Sequence, residues 1–182
     1  GAGSALYGGN AMGGIINIII RRPDEKLSIS ASLEYGTFNT MGGRISAGKS
    51  SKPDKAGISR FWNANFFAKK SDGYITQSEA DIAANPYIVK SNMKEAGGMV
   101  KGGLIFKNNH RLEASVNYYN DNRGTGEKVY QPDGNATDHD SYGITMNYQG
   151  RVKKTNLRSS VYMLTEDYKK VNEYLKDDYT WY

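Results

Sequence analysis

The chain has 182 residues, enough for one domain of ordinary size, but only 38% of them are hydrophobic against about 45–50% in typical soluble domains, so a single dry core is not expected. The sequence has no cysteine, which excludes a disulfide framework and a thiolate metal site, and its two histidines, His110 and His139, are too few for an all-histidine metal site. The net charge of +5 is distributed singly or in pairs with acidic residues in between, whereas a nucleic-acid-binding surface requires basic residues clustered on one face.

The first 23 residues, GAGSALYGGNAMGGIINIIIRRP, combine scattered glycines, an isoleucine-rich run and two arginines. Three hypotheses suit such a segment: a phosphate-binding loop, a membrane anchor, or a strand of a larger assembly. The apolar run 15–20 is far shorter than the ~20 residues of a spanning helix, is interrupted by Asn17, and has no basic region before it that would make a signal peptide. Its length and β-branched content favour a buried strand. The abrupt sequences at both ends lead us to expect that the chain is part of a longer protein.

Alternation of apolar and polar residues begins at residue 27. Within 27–35 the odd positions are apolar or aromatic, and the even positions are Ser28, Ser30, Ser32 and Glu34. A period of two predicts strands whose faces meet different surroundings, and the 14 tyrosines and 21 glycines also favour sheets with tight turns. Weaker versions of the pattern recur along the chain. We predict seven strands, near residues 27–35, 41–49, 58–70, 97–106, 111–121, 141–152 and 156–168.

The connections between the predicted strands alternate in length. The second, fourth and sixth are short (50–57, 107–110 and 153–155), the third and fifth are long (71–96 and 122–140), and only the first, 36–40, departs from the scheme by being short. Short turns at one end and long loops at the other are typical of outer-membrane barrels. A soluble antiparallel sandwich also alternates and has turns at this spacing. Because a membrane barrel must close and bacterial single-chain barrels use an even number of strands, seven strands would need others to complete one.

Residues 43–50, GRISAGKS, formally match the phosphate-loop pattern of nucleotide-binding enzymes. That loop requires a helix to follow, whereas Pro53 and Gly57 oppose a helix here, and residues 44–47 alternate as a strand. No nucleophile, base and orienting group can be placed together by spacing, and Glu113 and Glu166 are more simply charges of a lumen or surface. We therefore expect a strand at 43–50 and no enzyme activity.

Residues 131–140, QPDGNATDHD, carry four side chains that could bind a hard cation: Asp133, Asn135, Asp138 and Asp140. Calcium loops use such carboxylates and amides, but the EF-hand spacing and its closing glutamate are absent. A solvated loop tip is the commoner explanation. We predict no metal site.

The segment 3–22, GSALYGGNAMGGIINIIIRR, resembles the end of the plug domain of TonB-dependent outer-membrane receptors, where a phrase of the type GxSxLYGxxAxGGVINIxTK precedes the first barrel strand. The departures are Ile20, where threonine is usual, and Arg21, where lysine or arginine is common. The resemblance covers about a tenth of the chain. The matching positions are Ser4, Leu6, Tyr7, Gly8, Ala11, Gly13, Gly14, Ile16, Asn17 and Ile18.

The resemblance implies an all-β fold in two parts. Residues 1–23 would be the C-terminal end of a plug domain, and residues 24–182 the first strands and loops of an incomplete transmembrane antiparallel β-barrel of about 22 strands. The whole protein would lie in the outer membrane of a Gram-negative bacterium and take up an iron–siderophore, haem or cobalamin by plug movement, without a cofactor. Its implied partners are the TonB complex of the inner membrane, outer-membrane lipid and lipopolysaccharide, the chelate or vitamin ligand, and a surface lipoprotein.

The resemblance also assigns roles to individual residues. Arg21, Arg22 and Pro23 would mark the seam between plug and barrel, and Glu34 would face the lumen beside the plug. Ligand contacts are expected from aromatic and histidine side chains of the long loops, although loop aromatics also commonly pack the loop itself. These candidates are Tyr74, Tyr87, Tyr130 and His139.

Overall fold

The computed structural model describes residues 23–75, 78–84, 91–107, 109–124 and 136–171. They form one antiparallel sheet in which each strand pairs with its neighbours in sequence, so the spatial order is β1 to β7. A short helix, α1 (Glu79–Ala84), lies between the third and fourth strands. The predicted all-β class and the seven strands are confirmed. The strands are β1 (Ser28–Gly36), β2 (Thr40–Ser50), β3 (Ser59–Ser71), β4 (Met93–Ile105), β5 (Arg111–Gly124), β6 (Ala136–Val152) and β7 (Thr155–Val171).

The pairing register sorts the side chains of all seven strands onto two faces, because side chains alternate between the faces along each strand. One row of register partners is Ile29, Ala47, Ala64, Val100, Val116, Ile144 and Met163. We call the side that carries this row the apolar face. The opposite side, which carries Ser30, Lys101 and Glu113, is the polar face. The apolar odd positions and polar even positions predicted within 27–35 lie on these two faces as expected, from Ser28 onward.

Two strands begin earlier than predicted. β4 starts at Met93 rather than near 97, and β6 starts at Ala136 rather than near 141. The stretch 136–140 resembles a loop in composition, but it pairs in register with the end of β5, and Asn–Asp side-chain pairs there take the place of apolar ones. The long loops of 71–96 and 122–140 are correspondingly shorter, at residues 72–92 and 125–135.

The alternation of short and long connections is confirmed. The short ones are 37–39, 51–58, 106–110 and 153–154. In the first of them Phe38 and Asn39 have φ of 57° and 52°, and the Thr40 amide donates to the Thr37 carbonyl over 3.2 Å. Two central residues with positive φ form a type I′ turn, whose twist matches that of the flanking strands.

The stretch 43–50 lies within β2, as predicted. It is paired along its length with β1 and β3. It therefore lacks the loop and following helix that a phosphate-binding motif requires. No helix in the described part of the chain is long and apolar enough to cross a membrane.

Asp54 organises the connection between β2 and β3. Its Oδ1 accepts hydrogen bonds from the amides of Ile58 and Ala56, each over 3.0 Å, and its Oδ2 lies 3.0 Å from Arg60 Nη2. The hydrogen bond from Ile58, followed by those from Arg60 and Ala56, holds the pKa of Asp54 below its usual range against a partial desolvation that raises it. The ionised carboxylate is thus the form that stabilises the turn.

Acidification is expected to open this turn. Because the folded-state pKa is depressed, the stabilisation is fully present above the ordinary carboxyl pKa of about 3.9 and is lost as the pH falls through the folded value. Hydrogen exchange of residues 55–58 in the full-length protein should therefore accelerate at low pH relative to Asp54→Asn, whose amide oxygen still accepts but does not titrate. Asp54→Ala should exchange fast at every pH. An identical pH profile for wild type and Asp54→Asn would contradict the assignment.

Candidate functional site: the two faces of the sheet

The apolar face is solvent-exposed along its whole breadth. Val116, in the middle of the sheet, is 56% exposed, and Leu33 is 92% exposed. Soluble monomers rarely expose contiguous apolar patches larger than a few hundred Å². This face therefore requires an apolar covering. We call its large members the apolar belt: Ile29, Leu33, Tyr35, Met41, Ile45, Trp62, Phe66, Val100, Leu112, Val116, Tyr118, Tyr142, Ile144, Met146, Leu157, Val161 and Met163.

The apolar belt runs obliquely across the strands. On the side of the long connections, the last large apolar residue of the belt is Tyr35 on β1 and Met163 on β7. In the register of the sheet, however, Met163 aligns with Ile29 and not with Tyr35. The edge thus slips by about one residue at each strand pairing. With about 3.4 Å per residue along a strand and about 4.8 Å between strands, this slip corresponds to a strand tilt of about 35° relative to the belt. Strands of outer-membrane barrels are tilted by about 35–45°.

Aromatic side chains lie at the margins of the apolar belt. Trp62 and Tyr148 lie toward the short turns, whereas Tyr118 and Tyr142, with ring centroids 4.8 Å apart, lie toward the long connections. The Tyr118 hydroxyl donates to Asp140 Oδ1 over 3.1 Å, just beyond the apolar residues. Amphipathic rings at both edges of an apolar band are typical of membrane interfaces.

The polar face carries the ion pairs that join its strands. Toward the long connections, Glu34 Oε1 lies 2.7 Å from Lys69 Nζ. The Glu34 side chain passes over Gly42, where an added Cβ would lie 2.5 Å from Oε1, so the glycine is what permits the contact across β2. Arg123 lies 2.9 Å from Glu95 and 2.7 Å from Asp121. These pairs link β1 to β3 and β4 to β5.

A second charged cluster lies on the polar face toward the short turns. Glu113 is 8% exposed, pairs with Lys101 over 3.1 Å, and forms an ion pair with Arg111. The Arg111 guanidinium lies over the Phe61 ring at 5.6 Å, and Phe61 is 5% exposed. The most buried side chains of the described residues are therefore on the polar face, opposite to the arrangement in a soluble domain.

The chain reaches β1 from the polar side of the sheet. Pro23 lies against Gly48 on the polar face, where an added Cβ would be 3.0 Å from the proline Cβ, and the Ser50 amide donates to the Asp24 carbonyl over 2.8 Å. Both contacts are at the short-turn end. Glu34 lies at the opposite end of β1, beside the turn to β2, so it is not brought next to Pro23. Arg21 and Arg22 lie outside the described residues, as do the ten residues that match the plug phrase.

Two of the four predicted ligand contacts, Tyr74 and His139, lie within the described residues. Tyr74 is an exposed loop residue whose ring lies 5.4 Å from that of Phe38. Tyr87 and Tyr130 lie outside the described residues. His139 is not in a loop, contrary to expectation, because the hydrogen-bonded ladder of β5 and β6 extends past it. Its ring lies on the polar face, 5.8 Å from the rings of Tyr119 and Tyr168, with Nε2 3.9 Å from Glu166.

Asp138 and Asp140 are strand residues rather than members of a loop tip. Asp140 accepts hydrogen bonds from Asn120 over 3.0 Å, and Asp138 accepts one from Asn122. Asp133 and Asn135 lie outside the described residues. Within the described ranges, no group of three or more histidine or carboxylate side chains is placed to hold a metal ion.

No protein-family model, curated protein or solved structure matches the chain. Its function must therefore be argued from the residues and from the sheet they form.

Proposed function

We propose that this sheet is the beginning of the barrel of a TonB-dependent outer-membrane receptor that imports a scarce ligand of the iron–siderophore, haem or cobalamin type. The observation that carries the proposal is that the apolar belt is exposed while the buried and charged side chains crowd on the polar face. We call this arrangement, the reverse of that in a soluble domain, the inversion of the sheet. Lipid would cover the belt, and the polar face would line the lumen. The resemblance of residues 3–22 to the plug phrase supports the family.

A soluble sandwich accounts for the inversion less well. In a sandwich the apolar face is the inner one, and side chains crowd there while the polar face stays open to water. In this sheet the buried residues Phe61, Asn63 and Glu113 are on the polar side, and the large apolar side chains of the opposite face are exposed. The oblique belt and its aromatic margins add two features that a sandwich does not require.

The edges of the sheet and the position of Pro23 indicate where the remaining parts of the proposed receptor would lie. In a bilayer the free edges of β1 and β7 must be paired, so further strands would close the barrel. Pro23 and Asp24 contact β2 on the polar side at the short-turn end, which would be periplasmic. Residues 1–23 would then be the last part of a plug inside the lumen, and the long connections would be extracellular.

The polar face offers a place where a ligand or the plug would be held. A hollow of about 340 Å³ lies near the long-connection end, lined by charged and aromatic side chains. The proposed mechanism is binding followed by plug displacement, with energy supplied by TonB, and it involves no covalent step. The lining includes Glu34, Arg44, Phe67, Lys69 and Glu95.

The experiment that tests the proposal is fractionation of cells that express the full-length protein, with gel electrophoresis of heated and unheated samples. We expect the protein in the outer membrane, with a folded form that migrates faster than the boiled one. Deletion of the gene should abolish uptake of one of the three ligand types, and deletion of TonB should do the same. A water-soluble protein whose migration is unaffected by heating would contradict the membrane location, and uptake independent of TonB would contradict the receptor family.

A further inference from the structure

The chain doubles back over the polar face just before β1. Ser28, the first residue of β1, is the register partner of Gly48 on β2. Pro23 lies over the polar side of the same glycine, and the Asp24 carbonyl accepts a hydrogen bond from the Ser50 amide over 2.8 Å. The chain therefore reverses between Pro23 and Ser28, so that the proline lies over the sheet and not beyond its end.

A slot at Gly48 receives the proline. A Cβ at this position would lie 3.0 Å from the Pro23 Cβ and 3.2 Å from the Asn63 Cβ, so a side chain there would press on both. The register places Gly48 between Ser28 on β1 and Asn63 on β3. Pro23 thus fills a gap in the polar face that only glycine leaves open.

Asn63, beside this slot, has a buried acceptor. Its side chain is 8% exposed, and Oδ1 has no hydrogen-bond partner among the described residues. Lys101, its register partner on β4, lies 3.1 Å from Glu113 instead. Buried acceptors are nearly always paired, because leaving one unpaired destabilises the fold. The residue next to Pro23 is Arg22, whose guanidinium has five N–H donors, and consecutive Cα atoms are only about 3.8 Å apart.

We propose that Arg22 donates to Asn63 Oδ1 and so closes a clamp on the chain just before β1. The clamp consists of this bond, the slot at Gly48 and the Ser50 amide, and displacement of the preceding segment stops there. A pull on that segment is then borne by β2 and β3, each paired on both sides, and does not peel β1 from its end at Ser28, where strands open most easily. The inference rests on the proposed plug movement and adds where that movement ends.

The test is to pull the full-length protein in a lipid bilayer by a handle at its N-terminus, with an atomic force microscope. Breaking the clamp frees residues 23–27 before the load reaches Ser28, so we expect a force peak about 17 Å before the one at which β1 leaves the sheet. Asn63→Leu, which removes the acceptor at similar size, should lower the force of this peak, and Arg22→Met should lower it equally. Gly48→Val, which fills the slot, should abolish it.

A second measurement examines the clamp at rest. Hydrogen exchange of the Ser50 amide, which donates to Asp24, should accelerate about five-fold in Arg22→Met, as for the loss of one ordinary hydrogen bond. The matched control is Asn65→Leu, the same substitution two residues further along the polar face of β3. It should keep both the force peak and the exchange rate of the wild type.

The outcomes separate the clamp from the proposed function. If Arg22→Met and Asn63→Leu both keep the wild-type peak, the clamp is wrong and the receptor proposal stands. If the double variant loses the sum of the two single losses, the residues act separately and the bond between them is overturned. A double variant no weaker than the weaker single one supports the bond. If the clamp peak is present but uptake does not depend on TonB, the clamp stands and the receptor proposal falls.

Discussion

Val116→Arg is expected to reduce the amount of folded protein in the outer membrane about ten-fold or more. Val116 lies between Val100 and Ile144 in the register, in the middle of the apolar belt, and is 56% exposed. An arginine that faces lipid at the middle of the bilayer costs about 2–4 kcal/mol. That is a large part of the total stability of a typical domain, about 5–15 kcal/mol. The measurement is the heat-modifiable band in the outer-membrane fraction.

The matched control for this change is an arginine on the polar face. Ser30 suits it because its hydroxyl is hydrogen-bonded to that of Ser46, over 2.6 Å, in the described part of the chain, and its neighbour Ile29 is on the apolar face. Ser30→Arg should be tolerated and Ile29→Arg should not. Ser115 is a poorer control because the register sets it directly opposite Lys101, where an arginine would add repulsion. Equal tolerance of arginine on the two faces would contradict the proposed lipid contact.

Glu113→Gln is expected to destabilise the folded protein by about 3 kcal/mol. The side chain of Glu113 is 10% exposed, and it supplies the carboxylate to Lys101 and to Arg111, whose side chains are 19% and 24% exposed. Removing one partner of a buried ion pair leaves the other charges desolvated without their counter-charge. The temperature at which the heat-modifiable band disappears should fall, and Lys101→Met in the same chain should recover part of the loss.

A pair on the same face provides the comparison. Glu34 and Lys69 are 2.7 Å apart, but their side chains are 56% and 32% exposed. Solvent screens such a pair, so Glu34→Gln should cost about 1 kcal/mol or less. If the Glu34 and Glu113 variants lose stability equally, burial of the Glu113 cluster is not what stabilises this end of the sheet.

The sequence predicts the faces of the strands well because side-chain alternation is a property of the extended backbone itself. The apolar side of a strand can be read from the sequence alone, without knowledge of its partner strand, in Leu27 to Tyr35 and in Tyr142 to Tyr148. The early part of β6 was not predicted because its residues do not alternate between apolar and polar. Asp138 and Asp140 have the composition of a loop, and only the pairing with Asn122 and Asn120 makes them part of a strand.

The contacts on the polar face could not be predicted because they depend on register. Nothing in the sequence indicates that Glu34 reaches Lys69 past a glycine, or that Lys101 and Arg111 share Glu113. A shift of one residue at any hairpin would turn these side chains to the other face. The contact of Phe61 with Arg111 was not predicted either, because an aromatic residue among polar ones does not indicate that a cation packs on its ring.

The pairing of every strand with its neighbours in the chain has a consequence for assembly. Each hairpin can form from a short stretch of sequence, so the contacts that build the sheet are local and folding can advance from one hairpin to the next. Until the sheet closes, its first strand and its newest strand each have an open edge, and an open edge beside an exposed apolar surface readily associates with other chains. Such a chain is best kept extended until it meets its final surroundings, where each added hairpin would cover the edge left by the previous one.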